Sequence, residues 1–334
     1  MSDKEKYIAS PDRYTNSVGY NFCGKSGLKL PRLSLGLWHN FGDVDDATEA
    51  LNMLKYAFDK GITHFDLANN YGPVYGSAEE TFGQIMKKSF APYRDELFIS
   101  TKAGHEMWQG PYGEWGSRKY LMSSLDQSLK RMNLDYVDIF YSHRFDPNTP
   151  LEETLQALVD IVRQGKALYV GISKYPYEAA RFAYHYLKQR DVRCLLYQGR
   201  YNIFNREPEQ EQILQQAKEN GSGFIAFSPL AQGLLTNRYL QGIPDDSRIA
   251  RGGFLKKEQL TNDVLQKIEQ LNKMALERGQ TLAEMALAWV LKDDLVTSVI
   301  IGASSVQQMK DNLKGLENCQ FTAEELRLIN RIIL

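Results

Sequence analysis

Cysteine is scarce in this chain, and the few cysteines do not form a recognisable set. Cys23, Cys194 and Cys319 are the three in 334 residues, far apart and without a CxxC pair. Such spacing argues against a disulfide framework and against a zinc site, and it is typical of proteins from a reducing compartment. We therefore expect a cytoplasmic protein with no bound metal.

An excess of one charge sign and long apolar runs are also lacking. Forty basic and 41 acidic residues give a net charge of −1 without a basic stripe, so nucleic acid and membrane surfaces are not expected partners. The most apolar helical segment, 282–291, contains a glutamate and is too short to cross a bilayer. The amino-terminal segment shows no apolar stretch of the kind that secretion signals need.

One motif typical of nucleotide-binding loops lacks the surroundings that such a loop requires. Residues 19–26 read GYNFCGKS and match G-x-x-x-x-G-K-[ST]. A phosphate-binding loop follows a buried strand and opens into a helix, whereas strand-like alternation and Pro31 follow this motif. The segment instead predicts a β-hairpin, with arms at 20–23 and 28–30. A nucleotide hydrolase, which ATP titration would detect, is therefore not expected.

Eight short apolar segments recur along the chain, with amphipathic helix-like segments between them. These strand-like segments are 33–37, 64–68, 97–102, 137–143, 167–173, 195–199, 224–228 and 298–303. Eight strands alternating with helices indicate an α/β fold, a closed parallel (β/α)8 TIM barrel. The alternative is an open doubly wound sheet, but no G-x-G-x-x-G follows an early strand. We predict one barrel domain over 1–334, with extra helices at 257–278 and 281–292 between strands seven and eight.

The predicted strands end in polar residues, where barrels of this kind carry their active sites. The strand-end residues are Asp66, Lys102, His143, Ser173, Gln198 and Ser228. Buried charges are costly unless paired, and Asp66 with Lys102 would supply a pair. Tyr71 lies five positions beyond Asp66, so its hydroxyl can reach the same space.

This set of side chains supports proton delivery to a carbonyl oxygen. A tyrosine has an ordinary pKa of about 10, and an adjacent ammonium such as Lys102 is expected to lower the Tyr71 pKa toward neutrality. Asp66 would keep the lysine charged, and His143 would bond the substrate oxygen. The reaction then needs a hydride donor. The alternative is that Asp66 and Lys102 form a purely structural ion pair.

Two further features surround the predicted barrel mouth. The loop at 104–118 carries Trp108 and Trp115, which we expect to line a pocket; an interface or a lid is the alternative. His39 and His105 also lie in mouth loops, where contact with substrate is a further hypothesis.

Several segments in chain order resemble the aldo-keto reductases. HFDLANNYG (64–72) is similar to that family's signature strand and loop, FISTK (98–102) to its lysine strand and DYVDIFYSHR (135–144) to its histidine strand. LYVGISKY, YQGRYN, FSPLAQGLLT and IIGASSVQQMKDN resemble its later cofactor-contacting segments. The resemblance extends over 19–333. It implies a reductase that uses NADPH without a Rossmann fold.

The resemblance also implies roles for individual residues. Tyr71 would be the general acid, Lys102 and Asp66 would tune it, and His143 would orient the substrate. An aromatic ring, Tyr201 or Phe227, would lie beside the nicotinamide. The implied NADPH-binding residues are Trp38, Asp66, Ser173, Gln198, Phe227, Ser228, Pro229, Leu230, Gln232, Arg238, Arg248, Gly302, Ser304, Gln308, Asp311 and Asn312.

Within the family, WHNFG, NNYGPVYGSAEE and GIPDDSR resemble two branches, bacterial L-glyceraldehyde 3-phosphate reductases and the β subunits of voltage-gated potassium channels. The first implies reduction of small aldehydes, such as L-glyceraldehyde 3-phosphate or methylglyoxal, by a homo-oligomer (tetramer or octamer). The second implies an NADPH-sensing binding module; His143 argues against it, because channel subunits carry asparagine there. Many family members carry arginine at the Gln308 position to hold the 2′-phosphate of NADPH. The family places its hairpin on the barrel floor, where Tyr20 and Phe22 would plug the barrel.

Overall fold

Eight parallel strands close into a barrel in the computed structural model, which describes residues 6–15, 18–240, 242–244 and 255–334. Two hairpin strands precede the barrel, β1 (Tyr20–Phe22) and β2 (Lys29–Pro31). The barrel strands are β3 (Leu33–Gly36), β4 (His64–Asp66), β5 (Phe98–Ala103), β6 (Val137–Ser142), β7 (Ala167–Ser173), β8 (Cys194–Arg200), β9 (Gly223–Phe227) and β10 (Ser298–Ile301). Strands β3 to β10 follow one another around the barrel, and β10 closes it against β3. The predicted TIM barrel is confirmed.

Helices cover the outside of the barrel. They are α1 (Ala47–Asp59), α2 (Ser77–Ile85), α3 (Arg118–Met132), α4 (Leu151–Arg163), α5 (Tyr177–Lys188), α6 (Glu207–Gln210), α7 (Ile213–Glu219), α8 (Asn262–Glu277), α9 (Leu282–Val290), α10 (Val306–Lys314) and α11 (Ala323–Ile333). Helix α4 buries one apolar face. Its residues Leu155, Leu158 and Ile161 recur at helical spacing and are fully buried. Each such leucine contributes about 1.5–3 kcal/mol by leaving water.

The inward faces of the strands change from apolar to polar along the barrel axis. Because successive side chains in a strand alternate, β5 directs Phe98, Ser100 and Lys102 inward. Glycine is required at one interior position: a Cβ atom at Gly171 would lie 2.4 Å from the Tyr141 ring. The apolar side chains therefore fill the lower barrel, and the charged ones lie at its carboxyl-terminal mouth.

A short antiparallel hairpin closes the opposite end, as predicted. β1 and β2 pair, and the Tyr20 hydroxyl donates to the Gly61 carbonyl oxygen (2.7 Å) just before β4. The plug residues differ from the prediction, because Phe22 is 60% exposed beneath the Lys29 ammonium. Cys23 and Leu30 fill the floor instead, and both are fully buried. The GYNFCGKS segment is thus a lid on the barrel floor, on the face away from the polar mouth.

The two predicted helical stretches between the last strands are present as α8 and α9. The sequence analysis assigned no range to α2 and did not predict α11, which follows the last strand. A capping box of Thr322 and Glu325 at the start of α11 is a sequence signal that would have found it. Among the described residues, no helix has the length and hydropathy needed to cross a membrane.

Candidate active site

A buried ion pair occupies the mouth of the barrel. β4 and β5 are neighbours, and Lys102 Nζ lies 2.7 Å from Asp66 Oδ2 and 2.5 Å from the Leu67 carbonyl oxygen. The side chains are 0% and 2% exposed. Asp66 Oδ1 accepts further hydrogen bonds from Ser100 Oγ (2.7 Å) and Gln198 Nε2 (3.1 Å). Such additional hydrogen bonds are what a buried charge pair needs to offset its loss of hydration.

Two aromatic side chains meet above this pair. The Lys102 ammonium lies 4.8 Å from the centre of the Tyr71 ring, in the loop after β4. The His143 ring, just beyond β6, lies 6.1 Å from Tyr71 between ring centroids, and Trp38 lies 6.1 Å from Tyr71 on another side. The structure thus brings together the three predicted strand-end residues Asp66, Lys102 and His143 with Tyr71, from the loop after β4.

Burial decides the protonation states of these groups. It raises the Tyr71 pKa well above 10, and the Asp66 carboxylate raises it further. This is opposite to the expected lowering, because loss of hydration outweighs the attraction of the ammonium. Burial also lowers the pKa of Lys102 against the pull of Asp66, and lowers that of His143 well below 6.5 with help from the Lys174 charge. At neutral pH the phenol therefore holds its proton and His143 is neutral.

A chain of buried hydrogen bonds supports Asp66 from below. Ser298 Oγ lies 2.7 Å from Ser34 Oγ, which lies 2.8 Å from His64 Nδ1. His64 Nε2 lies 3.0 Å from Ser100 Oγ, which donates to Asp66. Because Ser100 uses its proton on Asp66, His64 donates from Nε2 and accepts at Nδ1. The sequence prediction missed this role of His64, whose place two residues before Asp66 on the same strand face was the available signal.

The sequence matches a known protein family over most of its length. The sequence profile of the Aldo/keto reductase family matches residues 32–334. The chain belongs to the aldo/keto reductase family. It is 55% identical over 331 residues to the L-glyceraldehyde 3-phosphate reductase of Escherichia coli K12, covering 98% of this chain and 95% of that protein. It is also 38% and 37% identical over 304 residues to proteins named "Probable voltage-gated potassium channel subunit beta" from Arabidopsis thaliana and Oryza sativa, covering 89% of this chain and 91% of each.

Aldo/keto reductases are oxidoreductases that generally use a nicotinamide cofactor, and two side chains of this reductase point to where such a group would fit. Ser173 Oγ and Asn312 Nδ2 are buried and have no hydrogen-bond partner among the described residues. An unsatisfied buried polar group costs about 1–3 kcal/mol, so these two atoms fit a ligand that bonds to them. Both residues are in the predicted cofactor-binding set; Ser173 ends β7 and Asn312 lies on α10.

The loop after β9, which belongs to the predicted NADPH-binding set, has a strained backbone. Ser228, Ala231 and Gln232 adopt left-handed backbone angles (φ 54°, 46° and 60°), on either side of Pro229 and Leu230. Each such residue stores about 1–3 kcal/mol of strain, which is typical of ligand-binding loops. Concave runs of this kind present backbone N–H groups to anions such as phosphate groups.

The structure distinguishes the two aromatic candidates for the nicotinamide side. Tyr201 is fully buried and packs on Trp289 (5.2 Å between centroids), while its hydroxyl bonds to Glu209 and Lys292. It is therefore unavailable to a cofactor. Phe227 remains, half-buried at the inner face of β9. Trp38 is 37% exposed and lies at the mouth beside Tyr71.

The last residues of the predicted NADPH-binding set, from Gly302 to Asn312, lie on α10 and in the segment before it. Gln308 Oε1 accepts from the Ser304 backbone N–H (2.8 Å), and Asp311 is paired with Lys314 (3.0 Å). Arg238 lies exposed in a 3₁₀ turn, Asn237–Tyr239. Arg248 lies outside the described residues.

The 104–118 loop forms one wall of the reductase's mouth. The Arg144 guanidinium lies 3.5 Å from the Trp115 ring centroid and pairs with Glu114. Asp146 accepts a hydrogen bond from the Gly116 backbone N–H (3.0 Å). The loop is thereby fastened to the end of β6, next to His143. Of the two tryptophans, Trp108 packs instead against Tyr120, 5.2 Å away, inside the loop's own base.

Stability is expected to fall between pH 7 and pH 5 because His64 stays neutral in the folded barrel. Burial lowers the pKa of His64 from 6.5 to about 4. Between these values the unfolded chain binds a proton that the folded chain does not, so unfolding becomes easier as pH falls, and the stabilisation is complete above pH 6.5. His64 alone accounts for a loss of about 2 kcal/mol over this interval. Urea unfolding at both pH values measures it.

The matched variants separate His64 from the other acid-sensitive groups. His64→Asn should reduce the pH 7 to pH 5 difference, whatever its effect on stability at pH 7. His185→Gln is the control, because His185 lies exposed on α5, where its ring contacts the Gln189 side chain. An unchanged slope in His64→Asn would show that the buried imidazole does not resist protonation.

Proposed function

We propose that this aldo/keto reductase uses NADPH to reduce the carbonyl group of small aldehydes, with L-glyceraldehyde 3-phosphate and methylglyoxal-like compounds as the substrate class. The observation that carries the proposal is the buried Asp66–Lys102 pair directly beneath Tyr71, with His143 beside it. The 55% identity to a protein named L-glyceraldehyde 3-phosphate reductase supports the substrate class.

Each of the four residues has a defined task in this proposal. The neutral His143 ring bonds the carbonyl oxygen and orients it toward Tyr71. NADPH, when bound, supplies the hydride, and Ser173, Gln198 and Asn312 would be among the residues that hold it. Tyr71 gives its phenolic proton to the oxygen as that oxygen gains negative charge. Lys102 then stabilises the resulting phenolate, and Asp66 keeps the lysine charged and in place.

A raised Tyr71 pKa is compatible with this role as an acid. The phenol stays protonated at neutral pH. It gives up its proton only when the substrate oxygen gains negative charge and becomes basic enough to take it. The ammonium 4.8 Å from the ring then matters in the transition state, because phenolate charge develops only there. The Asp66–Lys102 pair therefore stabilises the transition state more than the resting state with its neutral phenol.

The preference for NADPH over NADH is a proposal of its own. Family members with arginine at the Gln308 position hold the 2′-phosphate with a charge, whereas Gln308 here bonds to Ser304. The Gln308 side chain still offers its amide N–H groups, which are neutral donors, to a phosphate. We expect NADPH to support faster turnover than NADH.

Oxidation of NADPH at 340 nm tests the function directly. The purified protein is mixed with L-glyceraldehyde 3-phosphate or methylglyoxal, and NADH replaces NADPH in a parallel series. We expect turnover with both aldehydes and a higher kcat/KM with NADPH than with NADH. Higher kcat/KM with NADH would contradict the cofactor assignment.

A second candidate function is an NADPH-sensing binding module, which the similarity to proteins named as potassium channel β subunits favours. Tight NADPH binding, measured by calorimetry, without turnover on any aldehyde would support it over the reductase. A cytoplasmic location and a tetrameric or octameric assembly stay predictions.

A further inference from the structure

Two cationic side chains leave neighbouring strand ends on one side of the mouth. Lys174 follows β7 directly, and Arg200 ends β8. The two strands pair at Ser173 and Gln198, and the Lys174 backbone N–H donates to the Gln198 carbonyl oxygen (3.3 Å). Arg200 is two residues beyond Gln198 on the same strand face, so both cations belong to the mouth.

Within the described part of the chain, neither of these cations has an acidic partner. Among the residues that the structure describes, no carboxylate lies within 4.0 Å of Lys174 Nζ or of the Arg200 guanidinium. Lys174 donates instead to a neutral acceptor, His105 Nε2, at 3.0 Å. The neighbouring Arg144 differs, since it is paired with Glu114.

The charges nearby are of the same sign as Lys174. Partial loss of hydration at its ammonium, and then the charges of Lys102, Arg144 and Arg200, lower the pKa of Lys174 to about 8, although the residue remains exposed. Lys174 also adopts a left-handed backbone angle, φ 55°, which a lysine rarely takes. Uncompensated like charges held by a strained backbone favour the binding of an anion.

This group of charges lies beside the proposed substrate-orienting residue. The His105 ring that accepts from Lys174 packs edge-on against the His143 ring, 4.5 Å between centroids at 83°. A substrate whose carbonyl oxygen is bound by His143 would place a substituent two carbons away near Lys174. A phosphate monoester carries −1.5 to −2 charges at pH 7, which two cations match.

We propose that Lys174 and Arg200 bind the phosphate group of a phosphorylated aldehyde substrate. This inference rests on the proposed function, because it assigns the substrate class of the same site. Lysine contributes a point charge and arginine a planar pair of donors, a common combination for phosphate. Phosphorylated trioses then gain affinity over trioses without phosphate.

The kinetic test compares substrates with and without phosphate. Lys174→Met and Arg200→Met are measured with L-glyceraldehyde 3-phosphate and with L-glyceraldehyde. We expect kcat/KM for the phosphorylated aldehyde to fall by about 10–150-fold, as for the loss of a charged hydrogen bond, mainly through KM. For L-glyceraldehyde we expect a change of less than about threefold. Lys188→Met, which removes an exposed charge on α5, is the control.

Two results would overturn the proposal. If both variants raise the KM for NADPH and affect the two aldehydes equally, the charges hold a cofactor phosphate instead. If neither aldehyde is affected, the cations bind no phosphate.

A binding measurement separates this proposal from the proposed function. Glycerol 3-phosphate, which has no carbonyl group, is titrated by calorimetry into the protein saturated with NADP⁺. We expect binding by the wild type and loss of at least about tenfold in affinity in Lys174→Met, with glycerol as the non-binding comparison. Binding without any aldehyde turnover would mean that the phosphate site stands and the reductase function fails. Absence of binding together with turnover of L-glyceraldehyde 3-phosphate would mean that the reductase function stands and the phosphate site fails.

Discussion

Tyr71→Phe is expected to abolish nearly all carbonyl reduction while leaving the cofactor bound. The substitution removes one oxygen atom and with it the proton donor, which general acid catalysis values at about 10²–10⁴ in kcat. The ring keeps its place over the Lys102 ammonium, 4.8 Å away, so the fold and the NADPH affinity should change little. Steady-state NADPH oxidation gives kcat, and a fluorescence titration gives the NADPH dissociation constant.

Tyr75→Phe is the matched control, because Tyr75 lies in the same loop and is exposed. This substitution removes the same oxygen atom from an exposed ring, and we expect wild-type activity. Activity of Tyr71→Phe within a few-fold of wild type would show that another group supplies the proton. A large loss in both variants would instead indicate that the loop, rather than the Tyr71 hydroxyl, is being disturbed.

Lys102→Met is expected to damage stability and catalysis together. The substitution leaves Asp66 buried with hydrogen bonds from Ser100 and Gln198 but without a countercharge. Removing one partner of a buried pair typically costs about 3–5 kcal/mol of folding free energy. Catalysis loses the charge that stabilises the Tyr71 phenolate, so we expect kcat to fall by about 10²–10⁴ as well. Urea unfolding and NADPH oxidation measure the two effects.

The double variant Asp66→Asn with Lys102→Met separates these effects. With no buried charge left, much of the lost stability should return, while activity should stay low because the ammonium is still missing. Lys166→Met is the control, since Lys166 forms a surface pair with Asp126 that is worth about 0–1 kcal/mol. Recovery of activity in the double variant would contradict a catalytic role for the ion pair.

The sequence alone was sufficient for the strands and for the proposed catalytic set. Alternating apolar residues mark strands such as β5, and the polar residue that ends each segment marks the mouth. In a parallel barrel all carboxyl ends meet at one edge. Asp66, Lys102 and His143 could therefore be brought together without coordinates, because the rule needs only local periodicity and chain direction.

Packing over long sequence distances decided what the sequence could not. Leu30 rather than Phe22 fills the floor, because pairing within the hairpin places Phe22 opposite the exposed Lys29 and Leu30 on the other face. Tyr201 and Phe227 follow similar strand ends, yet only Tyr201 is enclosed by α9 and Lys292.

Packing over long sequence distances also decides the protonation states in the mouth. Ser34 and Ser298 are 264 positions apart and hydrogen-bond beneath His64. Loss of hydration in the mouth raises the Tyr71 pKa instead of lowering it. Residue type and spacing determined which chemical groups reach the mouth. Their protonation states, and the uncompensated charge of Lys174 and Arg200, are sums over neighbours from several strands, so only the folded barrel sets them.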